Sequence, residues 1–331
     1  MDYIKLGRSG LKVSRVAYGS WRTTEGEESK NNSLLCHQKA FDGGVNFFDT
    51  ADVYDNGQAE IVVGKFIAQH KRSDLVIATK CRGTMGKGPN DQGLSRKHIM
   101  EACHQSLKRL NTDYIDLYQA HWEDNDTPIE ETVSAFHLLQ QQGKILYWGV
   151  SNWGADLMTE ANIVCQKNNW DFMISNQPKY SMFNRHIENN NTQSYCDKNG
   201  IGMILYSPLD QGMLTDKYRN SKIPAGSRAT ERETMATELK KEYYKQPLAD
   251  LYQLADDLNV PLSSIALQWL FHQKAVSSAI VGAKTPAQVA ENLKCMELKL
   301  TPEIISRIDA ILVKRKALIF KDDSEGLLKK I

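Results

Sequence analysis

Four side chains stand where they could move a proton. Asp49, Tyr54, Lys80 and His121 each close, or closely follow, a short apolar run. A tyrosine with an ordinary pKa near 10 stays protonated at neutral pH and is a weak acid. An adjacent ammonium favours the phenolate and lowers that pKa. Lys80 can supply the ammonium, and Asp49 the counter-charge a buried lysine requires. Tyr54 then becomes a general acid able to protonate a carbonyl oxygen. His121 can orient that oxygen, or shuttle protons, by hydrogen bonding. Singly, each residue also admits a plain structural role: a turn cap, a snorkelling lysine, a core histidine. Their joint occurrence at run ends makes the chemical reading the sharper one.

A second group suits recognition of a carboxamide. Ser151 and Asn152 end YWGVSNW, and Gln177 ends ISNQ. A nicotinamide presents such a group. Tyr206, in LYSPL, offers a flat ring on which it could stack.

Eight short β-branched or aromatic runs position these residues: 16–18, 46–49, 75–80, 114–121, 145–150, 172–177, 202–206 and 279–282. Several are almost continuously apolar, as strands buried on both faces must be. Amphipathic stretches separate them. Ser95 opens one that places Ile99, Cys103 and Leu107 on one face. Thr127 and Pro128 open another, with Glu130 at the capping-box position and Gly143 at the end. Thr285-Pro286, with Gln288 placed to cap, and Thr301-Pro302 open two more. This alternation predicts an α/β fold, a (β/α)8 TIM barrel, whose strand C-termini converge on one mouth. An open dinucleotide-binding sheet would need GxGxxG after its first strand, and neither that motif nor a P-loop occurs. A hairpin over residues 3–13 can close the barrel bottom. The polar stretch 216–246 reads as a long loop after the seventh strand, with accessory helices toward the C-terminus.

Composition narrows the function classes. Lys plus Arg number 41 and Asp plus Glu 40, a net charge of +1. That balance argues against nucleic acid as a partner and against a polybasic membrane patch. No apolar run approaches the ~18–20 residues needed to cross a bilayer, so membrane insertion is not expected. The N-terminal sequence lacks the apolar stretch of a secretory signal, which predicts a cytoplasmic protein. The six cysteines form no CxxC pair, and no HxH or HExxH pattern occurs, so no metal is expected. A barrel hydrolase using a metal or paired carboxylates therefore has little support.

In this order, the residues resemble the aldo-keto reductase superfamily over essentially the whole chain, which reads as one domain, 1–331. FFDTADVY, LVIATK, LYQAHW, GVSNW, NQPKYSMF, YSPLDQGMLTDKY and GAKTPAQVAEN carry the resemblance. It implies a barrel that binds NADP(H) without a Rossmann motif, and a catalytic tetrad at Asp49, Tyr54, Lys80 and His121. Further cofactor contacts are implied at Trp21, Asp49, Ser151, Asn152, Gln177, Tyr206, Ser207, Pro208, Leu209, Gln211, Gly212, Gly282 and Lys284. Gln288, Glu291 and Asn292 share one helix face, which the resemblance assigns to adenosine; spacing alone favours a solvated helix start. The carbonyl substrate is expected against Trp21, Tyr54, His121 and Trp122.

Many members carry a lysine and an arginine at the positions of Gly282 and Gln288. The implied basic groups here are Lys217 and Arg228, able to meet a 2′-phosphate. NADP(H) is thus preferred, with NAD(H) left open. GLSRKHIMEACHQSLKRLNTDYIDLY and TPIEETVSAFHLLQQQGKILYWGVSNW look most like the branch containing voltage-gated potassium channel β subunits. Those subunits carry asparagine at the tetrad histidine and arginine at the position of Asn152. His121 and Asn152 therefore favour an NADP(H)-dependent reductase of aldehydes or ketones. The alternative is a nucleotide-sensing regulatory subunit with little turnover. Either reading admits a homo-oligomer.

Overall fold

A computed structural model describes residues 1–221, 223–225, 227–231 and 233–328. The chain divides into two compact units. The first comprises residues 1–180, 186–206 and 273–293; the second comprises 181–185, 207–272 and 294–331.

The first unit begins with an antiparallel hairpin, β1 (Tyr3–Lys5) and β2 (Lys12–Ser14). Eight parallel strands follow: β3 (Val16–Gly19), β4 (Phe47–Asp49), β5 (Val76–Cys81), β6 (Ile115–Ala120), β7 (Ile145–Ser151), β8 (Ser175–Gln177), β9 (Gly202–Leu205) and β10 (Val276–Val281). They close into a barrel in the order β10-β3-β4-β5-β6-β7-β8-β9. All eight expected strands are present, most within a residue or two of the runs read from the sequence.

The barrel interior explains the apolar runs. Ala17, Phe47, Val76, Ala78, Leu117, Ile174, Ile204 and Ile280 pack into one buried cluster. Leu6 and Val13 of the hairpin join it. Arg8 N donates to Gly200 O at 2.7 Å and Gly7 N to Ser277 Oγ at 3.4 Å, so the hairpin closes the end where the strands begin.

Helix starts follow the sequence signals with one exception. Ser95 Oγ accepts from His98 N at 3.3 Å and caps Arg96–Leu110. Thr285 Oγ1 accepts from Gln288 N at 3.3 Å, and Gln288 Oε1 accepts from Lys284 N at 2.8 Å. Thr127 does not cap the helix Ile129–Gln141. Its hydroxyl donates to Asp124 Oδ2 at 2.8 Å, because the loop carboxylate competes for it.

The second unit holds the connection that follows β9. That connection is long, as expected, but it carries helical turns: Asp216–Ser221, Arg228–Glu231, Glu233–Glu238 and the start of Glu242–Leu258. Met213, Tyr218, Ala229 and Met235 form a small core there, with Leu239 and Tyr244 against it. So few buried residues leave most of the stretch polar, which hides its helicity from periodicity. Leu262–Phe271 and the C-terminal helix Pro302–Leu328 complete this unit. Arg307 Nη2 meets Asp257 Oδ2 at 2.8 Å and Trp269 Nε1 donates to Asp309 Oδ1 at 3.3 Å.

Among the described residues no helix is long and apolar enough to cross a membrane. Nor is any group of three or more His, Cys, Asp or Glu among them arranged to hold a metal ion.

Candidate active site

Parallel pairing brings the strand C-termini to one end of the barrel. Asp49 closes β4, Lys80 lies near the end of β5, His121 follows β6, Ser151 closes β7 and Gln177 closes β8. Tyr54 sits on the 3-10 turn Tyr54–Gly57. The backbone leading to that turn stays tied to β5: Thr50 N donates to Ala78 O at 2.9 Å and Asp52 N to Lys80 O at 3.2 Å.

Lys80 is the hub. Its ammonium, with no solvent exposure, donates to Asp49 Oδ1 at 2.6 Å and Thr50 O at 2.7 Å. Tyr54 OH lies 3.4 Å from the same nitrogen. Burial pulls the lysine pKa down, but Asp49 and Tyr54 outweigh it and raise the pKa above its ordinary value. The charge is thus held, satisfied and aimed at the phenol.

Tyr54 departs from the sequence expectation in one respect. Burial raises its pKa, and this exceeds the downward pull of Lys80; Asp49 adds to the rise. The desolvated phenol therefore holds its proton more tightly than in water. His121 moves the other way. Burial, then Lys80 and Arg82, lower its pKa well below 6.5. The ring is neutral at pH 7, with Nδ1 buried and without a hydrogen-bond partner. It stands edge-on to Tyr54, with centroids 5.7 Å apart, and stacks on Trp122 at 3.7 Å and 14°. Trp122 and Trp21 are each 41% exposed. Trp21 follows β3 at the same rim, where Ser20 N donates to Asp49 O at 3.0 Å.

The carboxamide set is joined to this hub. Gln177 Nε2 donates to Asp49 Oδ2 at 2.9 Å. Ser151 and Gln177 are register partners, and Ser151 Oγ donates to Gln177 O at 2.8 Å. Asn152, left-handed at φ 61, turns its amide back to donate to Ser151 Oγ at 3.1 Å. Asparagine tolerates that conformation better than most residues. Tyr206 OH donates to Asn152 Oδ1 at 3.0 Å, which fixes the Tyr206 ring beside the amides. Each amide nitrogen carries a second N–H beyond the bond described. A planar carboxamide above these groups fits that donor and acceptor set, with the Tyr206 ring as its platform.

The remaining expected positions divide between the units. Gly282 and Lys284 follow β10, and Gln288, Glu291 and Asn292 lie on the helix Pro286–Leu293 of the first unit. Ser207, Pro208, Leu209, Gln211, Gly212, Lys217 and Arg228 belong to the second unit. Lys217 is exposed on the turn Asp216–Ser221, and Arg228 is half-buried at the start of a four-residue helix.

Sequence reasoning missed Glu60 and Arg109. Glu60 is fully buried on the helix Gln58–Ile67, pairs with Arg109 Nε at 2.6 Å and accepts from Thr79 Oγ1 at 2.6 Å. The available signal was a carboxylate on an otherwise apolar helix face, beside Ala59, Val62 and Val63.

The Aldo/keto reductase family model matches residues 15–313. The chain belongs to the aldo/keto reductase family. Two relatives of this reductase-family chain carry the name "Probable voltage-gated potassium channel subunit beta". The one from Oryza sativa subsp. japonica is 39% identical, over 94% of this chain and 97% of its own length. The one from Arabidopsis thaliana is 40% identical, over the same shares.

Proposed function

We propose that this protein reduces aldehydes or ketones to alcohols, using NADP(H), with Tyr54 as general acid. One observation carries the reading: a fully buried ammonium lies 2.6 Å from a carboxylate and 3.4 Å from a phenol, at the mouth of a barrel. Such an ion pair is costly to bury without a task for the charge.

A bound reduced nicotinamide supplies the hydride. Asn152, Gln177 and Ser151 would hold its carboxamide, and Tyr206 would support its ring. The chain's own residues manage the proton. Tyr54 gives its phenolic proton to the carbonyl oxygen as negative charge develops there. Lys80 stabilises the phenolate left behind, at a distance where the attraction is undiluted by water. Asp49 keeps Lys80 charged and in place. His121, neutral and with Nδ1 enclosed, presents Nε2 to the substrate oxygen and orients it. Trp21 and Trp122, aromatic and partly exposed at the rim, suit an apolar or aromatic substituent.

Lys217 and Arg228, the basic residues that the resemblance implies for a 2′-phosphate, support NADP(H) over NAD(H). Fluorescence titration with NADPH and NADH, then a panel of simple aldehydes and ketones with the tighter cofactor, tests the whole reading. Tighter NADPH binding and steady NADPH oxidation support it; no oxidation with any carbonyl contradicts it.

A second reading is favoured by the names of the relatives: a nucleotide-sensing subunit of a membrane channel, with little turnover. It predicts tight NADPH binding, oxidation slower than dissociation, and a stable ring-like oligomer. His121, completing the acid site, weighs toward the enzyme.

A further inference from the structure

Resting on the reductase reading, we infer that Glu60 and Arg109 form a positioning clamp that sets Tyr54 against Lys80. The turn that carries Tyr54 is unusual: Asp55 (φ 49), Asn56 (φ 50) and Gly57 (φ 86) are left-handed in succession. Such a run is costly for residues with a Cβ and persists only where its surroundings over-determine it. The helix that follows starts at Gln58, so any shift in this turn moves Tyr54 directly.

Arg109 supplies that constraint. It comes from the helix Arg96–Leu110, which crosses close to Gln58–Ile67. A Cβ at Gly64 would lie 2.5 Å from Arg109 O. Its stem lies over the turn: a Cβ at Gly57 would be 2.8 Å from Arg109 Cδ and 3.0 Å from Nε. Nε donates to Glu60 Oε2 at 2.6 Å, and Nη2 to Ser106 Oγ at 3.3 Å.

Glu60 carries the constraint to the lysine strand. Its other oxygen accepts from Thr79 Oγ1 at 2.6 Å, and Thr79 directly precedes Lys80 on β5. One carboxylate therefore joins the Tyr54 turn, through its helix and Arg109, to the strand that carries Lys80. Asp52 runs alongside, with its N–H on Lys80 O and Oδ1 accepting from Val53 N at 2.7 Å. Burial, reinforced by Glu60, pushes Asp52 up to about 8, so its carboxyl stays largely protonated at neutral pH. The clamp acts on the reaction through the position of Tyr54. A misplacement of ~1 Å at a reacting group costs on the order of 100-fold in rate.

The test is Glu60→Gln, Arg109→Met and Arg109→Lys in the full chain, with 3-fluorotyrosine placed at position 54 for fluorine NMR. Arg109→Lys keeps a cation beside the buried Glu60, and urea denaturation of each variant establishes that it is folded before its fluorine line is read. The clamp predicts one narrow fluorine line in the wild type. It predicts a broadened or doubled line in Arg109→Met, with partial recovery in Arg109→Lys. In turnover it predicts kcat lower by about 10- to 100-fold in Arg109→Met, with KM for NADPH within about twofold and Arg109→Lys between the two. An unchanged line and unchanged kcat in Arg109→Met overturn the clamp. The fluorine line reads the position of Tyr54 without turnover, so an inactive wild type with the predicted lines sinks only the reductase reading.

Discussion

Gln177 reaches across the barrel mouth to Asp49, its Nε2 donating to Oδ2 at 2.9 Å, while Lys80 holds Oδ1. One buried carboxylate thereby couples the edge proposed to bind a carboxamide, on β7 and β8, to the edge proposed to donate a proton, on β4 and β5. Replacing Gln177 with Ala strips one oxygen of its donor. We expect a stability loss of about 1–3 kcal/mol from the unsatisfied carboxylate. NADPH affinity should fall by about tenfold, equivalent to ~1.4 kcal/mol. Urea denaturation and fluorescence titration check both, and an unchanged affinity would detach Gln177 from the cofactor.

Lys80→Met removes the ammonium and leaves Asp49 buried without its ion-pair partner. Breaking a buried pair this way costs about 3–5 kcal/mol. Equilibrium denaturation should show that loss. Restoring neutrality with Asp49→Asn in the same chain should recover part of it, since no unpaired charge then remains. A double variant no more stable than Lys80→Met would contradict the pairing account.

The pH dependence follows from opposite shifts. Tyr54 is raised above 10 by burial, so the proton donor persists through neutral and mildly alkaline pH and is lost only as pH rises past that value. His121 is lowered well below 6.5, so its protonation gives no limb near pH 6.5. The kcat/KM for carbonyl reduction should be flat through neutral and mildly alkaline pH and fall only above the ordinary tyrosine range. A limb centred near 6.5 that disappears in His121→Asn would show instead that the histidine titrates normally.

Stability has its own acid limb, from His37. Burial lowers its pKa from 6.5 to about 4, opposed by the hydrogen bond to Ser33 O. The unfolded chain takes up the proton first. His37 therefore contributes stability fully present above pH 6.5 and lost as pH falls through 4, about 3 kcal/mol in all. His37→Leu should flatten the decline in unfolding free energy between pH 7 and 4; an unaltered slope would exclude His37 as its source.

The barrel was legible because strands buried on both faces must read as apolar runs, and eight of them alternate with helical patterns. The clustering of Asp49, Tyr54, Lys80 and His121 was legible because they sit at or just after run ends. Three things were not. The clamp joins residues 49 positions apart through one fully buried carboxylate, and a glutamate on a helix reads as solvated until the neighbouring helix is seen. Burial of Tyr54 by its surroundings, which reverses the expected pKa direction, is invisible in a linear sequence. The short helical turns between Asp216 and Glu238 bury too few residues to show a period.

The most direct measurement is NADPH oxidation by Tyr54→Phe beside the wild type, on a carbonyl that the wild type reduces, with NADPH affinity measured in both. Loss of a positioned general acid predicts kcat lower by about 10²- to 10⁴-fold with affinity retained. Equal rates in the two proteins would contradict Tyr54 as the acid, and with it the proposed mechanism.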